Sequence, residues 1–101
     1  MKLGHYLKIQ RVIKDLSQTD VAEKAQMSQS ELCLFENNER ELKPERIKKI
    51  HSVLGGSLDY LFALSGRIPP DILDIIETTN EENCSLIKFF EKMRSEFNAR
   101  T

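Results

Sequence analysis

The chain has no apolar run approaching the ~20 residues that span a bilayer, and its opening Met1-Lys2-Leu3-Gly4-His5 lacks the apolar core of a secretory leader. No membrane partner is expected, and the expected location is cytoplasmic. Cysteine is scarce: Cys33 and Cys84 lie far apart and match no metal-ligand spacing, so reduced thiols and no metal are expected. His5 and His51 are isolated and suit solvent or packing roles. Glycine-rich phosphate loops, paired catalytic carboxylates and nucleophile–base patterns are all missing, so neither catalysis nor a cofactor is expected. Strand signals are missing too: no period-2 alternation is sustained, and the fold class that remains is all-α.

Nor is there an excess of charge. The 101 residues carry 15 Lys and Arg against 16 Asp and Glu, a net charge of −1. Residues 1–66 hold ten basic and nine acidic side chains, and residues 67–101 hold five and seven. This balance neither selects a polyanionic partner nor excludes one. It predicts modest non-specific affinity for any polyanion, because few phosphates can be neutralised at once. With 40% apolar and 31% charged residues the composition is that of a globular protein, which excludes disorder. The length suits one domain, or one domain with an appendage.

What is present is a series of helix signals. A first helix is predicted from Leu3 to about Lys14, with Leu3, Leu7 and Arg11 on one face. Ser17 is an N-cap before Asp20, and Ser28 before Glu31, each a capping-box spacing that satisfies orphan backbone N–H groups and puts acid at the positive end of a helix. They open short helices over about Gln18–Ala25 and Gln29–Glu36. The segment from Asn37 to Lys43 reads as a loop, and Pro44 suits the first turn of a fourth helix bearing Ile47, Ile50, Val53 and Leu54. Gly55-Gly56 ends it, and Ser57 caps a fifth helix carrying Leu58, Leu61, Phe62 and Leu64. Pro69-Pro70 marks the one boundary, dividing 1–66 from 67–101. Beyond it, helices are expected over Asp71–Thr78 and from just after Asn80 to about Asn98.

Two short capped helices separated by a few residues are what a helix-turn-helix requires. Ala22 is small where the two must approach closely, and Val21, Ala25, Met27, Leu32 and Phe35 supply a shared core. By helical geometry Gln29, Ser30, Cys33 and Leu34 face outward on the second of the pair.

The sequence here resembles the Cro and lambda-repressor type of helix-turn-helix domain, also called the Xre family. The resemblance rests on Leu16-Ser17-Gln18-Thr19-Asp20-Val21-Ala22-Glu23-Lys24-Ala25, Met27-Ser28-Gln29-Ser30-Glu31-Leu32, Phe35-Glu36-Asn37 and Leu54-Gly55-Gly56-Ser57-Leu58-Asp59-Tyr60-Leu61. It implies a five-helix lambda-repressor-like DNA-binding domain over 1–66, followed here by two C-terminal helices. It also implies that residues 29–36 enter the major groove of double-stranded DNA. Gln29 then suits adenine N6 and N7, and Ser30 either base edge. The plainer alternative makes both of them first-turn solvent residues. Cys33 and Leu34 depart from the polar or basic residues usual in the family. Leu34 can meet a thymine methyl, a protein partner or solvent, and Cys33 is expected to be an unreactive small residue. The resemblance further implies phosphate contacts from Gln18, Asn37 and Arg40, a structural ion pair between Arg11 and Glu36, and a turn in which Gln26 replaces the usual glycine.

The sequence carries more apolar surface than five helices need. Tyr6, Ile9 and Ile13 form an extra stripe on the first helix, and Leu86, Phe90, Met93 and Phe97 are spaced 4, 3, 4 along the last, a narrow seam. The expectation is a homodimerisation tail that docks on the Tyr6/Ile9/Ile13 stripe, in its own chain or its partner's. A tail folded into its own monomer's core is the alternative. The leading functional expectation is a dimeric repressor or autoregulator of an inverted repeat. The other is a protein-interaction module, an antitoxin or anti-regulator, with a regulatory protein partner and secondary DNA binding.

Overall fold

The computed structural model describes residues 1–81 and 84–100. Among them it is all helical: α1 (Leu3–Ile13), α2 (Gln18–Lys24), α3 (Gln29–Glu36), α4 (Pro44–Leu54), α5 (Leu58–Leu64), α6 (Pro70–Glu77) and α7 (Ser85–Arg100). Three helices stop one residue before the predicted ends, because Lys14, Ala25 and Thr78 serve as C-caps. The start expected for the last helix, just after Asn80, falls partly on Glu82 and Asn83, which lie outside the described residues. The chain divides into two compact units, Met1–Arg67 and a second beginning at Ile68.

In the first unit each helix start has its chemical cause. Ser17 and Asp20 form a complete capping box, with the Asp20 N–H donating to Ser17 Oγ at 3.0 Å and the Ser17 N–H to Asp20 Oδ2 at 3.1 Å. The Ser17 backbone N–H, which contributes most, and the Ser17 hydroxyl next hold the Asp20 carboxyl below its ordinary value. The carboxylate half of the box is therefore fully made above the usual carboxylate range and weakens as pH falls through the lowered value. Ser28 accepts from the Glu31 N–H at 3.0 Å, Ser57 from the Tyr60 N–H at 3.2 Å, and Pro44 occupies the first turn of α4.

The first three helix ends share one device. Asp15, Gln26 and Asn38 take left-handed φ values of 55°, 58° and 59°. Beyond each, the next N–H reaches back to a helix carbonyl: Leu16 to Arg11 at 3.1 Å, Met27 to Ala22 at 2.9 Å and Glu39 to Leu34 at 2.9 Å. These are Schellman stops built without glycine, each costing roughly 1 kcal/mol relative to one built with it. The residue after the stop packs on the core at two of them, Leu16 and Met27.

The core of this unit centres on Ile50, which has no accessible surface, with Leu7, Val21, Leu32, Ile47 and Phe62 almost as deeply enclosed. Leu42 joins it from the α3–α4 loop, so that the loop is anchored by a buried leucine although its sequence shows no apolar period. In the second unit α6 fully buries none of its residues. Its Ile72, Ile75 and Ile76 face Leu86 and Phe89 of α7 across an apolar groove of about 510 Å³.

Gly4 shows why α1 meets the end of α3 so closely. Its N–H donates to Asn38 Oδ1 at 3.0 Å. A Cβ there would collide with the Phe35 carbonyl oxygen and lie 2.8 Å from that of Glu36. Alanine ordinarily stabilises a helix interior relative to glycine; here the sign reverses. Gly4→Ala is expected to lower stability by about 1–3 kcal/mol, read as a lower denaturant midpoint at unchanged slope.

Candidate nucleic-acid interface

Helices α2 and α3 and the turn between them present the predicted reading surface, and a buried carboxylate organises it. Glu36, at the last turn of α3, is 4% exposed. Arg11 of α1 grips it with two bonds, Nε to Oε2 at 2.7 Å and Nη2 to Oε1 at 3.0 Å, and its remaining Nη1 donates to the Leu16 carbonyl at 2.9 Å. The bond to Glu36 raises the Arg11 guanidinium above its ordinary value against the opposing effect of burial. One arginine therefore joins α1, the α1–α2 connection and the end of α3.

The same carboxylate reaches the surface through two amides. Gln18 Nε2 donates to Glu36 Oε1 at 3.0 Å, and Gln29 Nε2 donates to Gln18 Oε1 at 2.7 Å. The direction of this relay follows from the chemistry of its inner end. A carboxylate only accepts, so Gln18 must turn its amino group inward and its carbonyl outward. Gln29 must then offer its own amino group to that carbonyl. What Gln29 retains for a partner is Oε1 and its second N–H, the acceptor and donor that adenine's N6 and N7 require.

Around this amide, Ser30 is exposed. Cys33 and Leu34 are half-buried, a correction to the fully outward placement that helical geometry gave them. For Cys33 the reason is local: Asn37, one turn on, lays its Nδ2 3.5 Å from the Cys33 Sγ. Asn37 and Arg40 are both exposed past the end of α3. Asn38, beside them, is exposed as well, and its Oδ1 accepts from the Gly4 N–H. An Asn-Asn pair directly after a helix signals a left-handed stop, and the second asparagine fills it here.

Sequence reasoning passed over Arg46. From the first turn of α4 its Nη1 donates to the Gln26 carbonyl in the strained turn at 3.2 Å, and its Nη2 lies 3.7 Å from Glu31 Oε2. The Ser28 capping box is thus closed on one side only, with the Glu31 carboxylate directed to Arg46. No local pattern marks this pair, whose members are 15 positions apart.

The extra apolar stripe of α1 is unevenly placed. Tyr6 packs partly on the core of its own unit and meets Tyr60 edge-on at 5.1 Å, Ile9 is half-buried, and Ile13 is 70% exposed. On α7, Leu86 is half-buried, whereas Phe90, Met93 and Phe97 are exposed. Among the described residues no group of His, Cys, Asp and Glu is arranged to hold a metal ion, and no helix is long and apolar enough to cross a membrane.

The ion pair yields a test. Glu36→Gln leaves a guanidinium enclosed with no counter-charge and is expected to cost about 3–5 kcal/mol of stability. Arg11→Met combined with Glu36→Leu replaces both charges with apolar volume and should recover most of it, measured by thermal and denaturant unfolding.

Comparison with known proteins agrees with this geometry. The family profile described as helix-turn-helix matches residues 7–61, more than half of the chain. A solved structure titled SinR protein/SinI protein complex has the same fold at a TM-score of 0.57, with 20% identity, covering 93% of this chain and 98% of that one. No curated protein matches the sequence significantly. The chain belongs to the helix-turn-helix family, in its Xre and lambda-repressor type of DNA-binding regulator.

Proposed function

We propose that this regulator is a homodimeric repressor that reads an inverted repeat with α3 in the major groove. The observation that carries the reading is the amide relay. A helix that merely covers a core has no need of an exposed glutamine whose orientation is fixed through two hydrogen bonds from a buried carboxylate. Gln29 reads adenine, Ser30 the adjoining base edge, and Leu34, with Cys33 beside it, meets a thymine methyl. Gln18, Asn37 and Arg40 contact phosphates and set register rather than sequence. Gln18 also holds Gln29, so it serves affinity and specificity together.

Dimerisation through the tail is supported by surface that a two-helix unit cannot bury alone. The unit has fewer than ~40 residues, a size at which oligomerisation, metal or disulfides are usually needed. Ile75, Phe89, Phe90, Met93 and Phe97 are all exposed, Phe97 to 67%. A two-fold pair would set two reading helices about 34 Å apart, one turn of DNA, and double the contacts of a weakly charged surface.

A second reading has its own support. The structural neighbour is described as a complex of two proteins, SinR and SinI. The apolar groove and exposed row of this tail equally suit a regulatory protein partner, with DNA binding secondary.

Selection from random duplexes, followed by the stoichiometry of the winning complex, tests the leading reading. It predicts an inverted repeat bound by two chains. Gln29→Ala should lose roughly 1–3 kcal/mol of discrimination at one A·T pair in each half-site. A protein that enriches no sequence, or binds its best site as a monomer, would contradict it.

A further inference from the structure

We infer that Arg46, which has no assigned DNA contact, determines how tightly α3 binds DNA by cancelling the one negative charge on that helix that would otherwise face phosphate. The inference rests on the DNA-reading role of α3 proposed above. Helix α3 carries two carboxylates, Glu31 and Glu36, and no lysine, arginine or histidine. Glu36 is enclosed and neutralised by Arg11. Glu31 lies in the first turn, where a negative charge favours the helix by opposing its positive end. A groove lined with phosphates makes the opposite demand, since an uncompensated carboxylate on an inserted helix repels them and weakens the attraction of the helix's own N-terminal N–H groups. Arg46 reconciles the two.

Its fork does so from a third element. One arm lies 3.7 Å from Glu31 Oε2, and the other donates to the Gln26 carbonyl at 3.2 Å. Gln26 is the left-handed residue of the turn, two positions before the Ser28 cap. The guanidinium therefore holds the turn and the first turn of α3 in one grip while supplying the counter-charge. Arg46 is a positioning residue: it acts on DNA through Glu31, and its bond to the Gln26 carbonyl holds the guanidinium in place to do so. Both carboxylates of the reading helix are matched in this way by an arginine from outside it, Glu36 from α1 and Glu31 from α4.

The test compares five full-length proteins on the duplex that wild type selects: wild type, Arg46→Met, Arg46→Lys, Glu31→Gln, and Arg46→Met with Glu31→Gln. Affinity is measured by fluorescence anisotropy at low and moderate salt, with thermal unfolding of each protein in parallel. Arg46→Met should bind roughly five- to tenfold more weakly at low salt, with the deficit shrinking as salt screens it. Arg46→Lys keeps the charge and should stay within about threefold of wild type, and Glu31→Gln should bind at least as tightly as wild type. The double variant should return to within about twofold of wild type, a rescue that lost packing would not produce. Arg46→Met binding like wild type, or a double variant as weak as Arg46→Met, would overturn the inference. If Arg46→Met is unfolded at the assay temperature, Arg46→Lys and Glu31→Gln decide: a tenfold loss in either contradicts the charge account. Failure of wild type to bind any duplex would instead remove the reading on which the inference rests.

Discussion

Removing a carboxylate from water is costly unless each of its lone pairs is met, and Glu36 is where this protein bears that cost. Its side chain is 1% exposed, and it accepts from Arg11 Nε, Arg11 Nη2 and Gln18 Nε2. Those three bonds come from two other helices, so the position of the end of α3 against α1 and α2 is determined by charge and direction as well as by apolar contact. Apolar packing alone would tolerate small slides between such short helices; a bidentate fork does not. Gly4 adds a second constraint at the same crossing, where the start of α1 lies against the last carbonyls of α3 with no room for a side chain.

The direction of the relay gives this buried pair a consequence at the surface. Because Glu36 can only accept, every amide outward from it has its orientation decided, and Gln29 meets the solvent with its carbonyl oxygen and one N–H disposed in a fixed order. Preorganisation of this kind reduces the entropy lost when a flexible side chain is immobilised on a partner. It also suits a surface with little net charge. A strongly basic domain gains affinity from counterion release regardless of sequence, whereas a neutral one depends on a few oriented contacts.

Much of the fold was legible in the residues because its signals are local. Ser17, Ser28 and Ser57 each open a helix, Pro44 begins another, and the apolar spacing through α4 and α5 faces the core as the period requires. The Xre-type resemblance, carried by the segments between Leu16 and Leu61, agrees with the matched span of 7–61. What escaped sequence reasoning depends on tertiary encounter. Leu42 reads as a loop residue because nothing near it in sequence is apolar in period, yet it is buried. Arg46 looks like one more solvated cation until α4 is laid against the turn. Helical angle alone puts Cys33 and Leu34 on the outer face and takes no account of the Asn37 amide lying 3.5 Å from the thiol. The Gln18–Gln29 bond joins residues on separate helices and has no signature in spacing at all.

The second unit shows the opposite balance between pattern and structure. Its apolar spacing is clear in sequence, but two helices of this length leave much of that surface uncovered, with the groove between Ile72, Ile75 and Phe89 open. That uncovered surface is what the proposed association would bury, whereas the first unit has a complete core of its own. A double-mutant cycle at Gln18 and Gln29 on the selected duplex shows whether the buried pair acts on DNA through oriented amides, as proposed. Coupled losses are predicted, with an interaction energy of about 0.5–3 kcal/mol confined to the base pair that Gln29 reads. Strictly additive losses, or coupling spread evenly over all positions, would contradict the account.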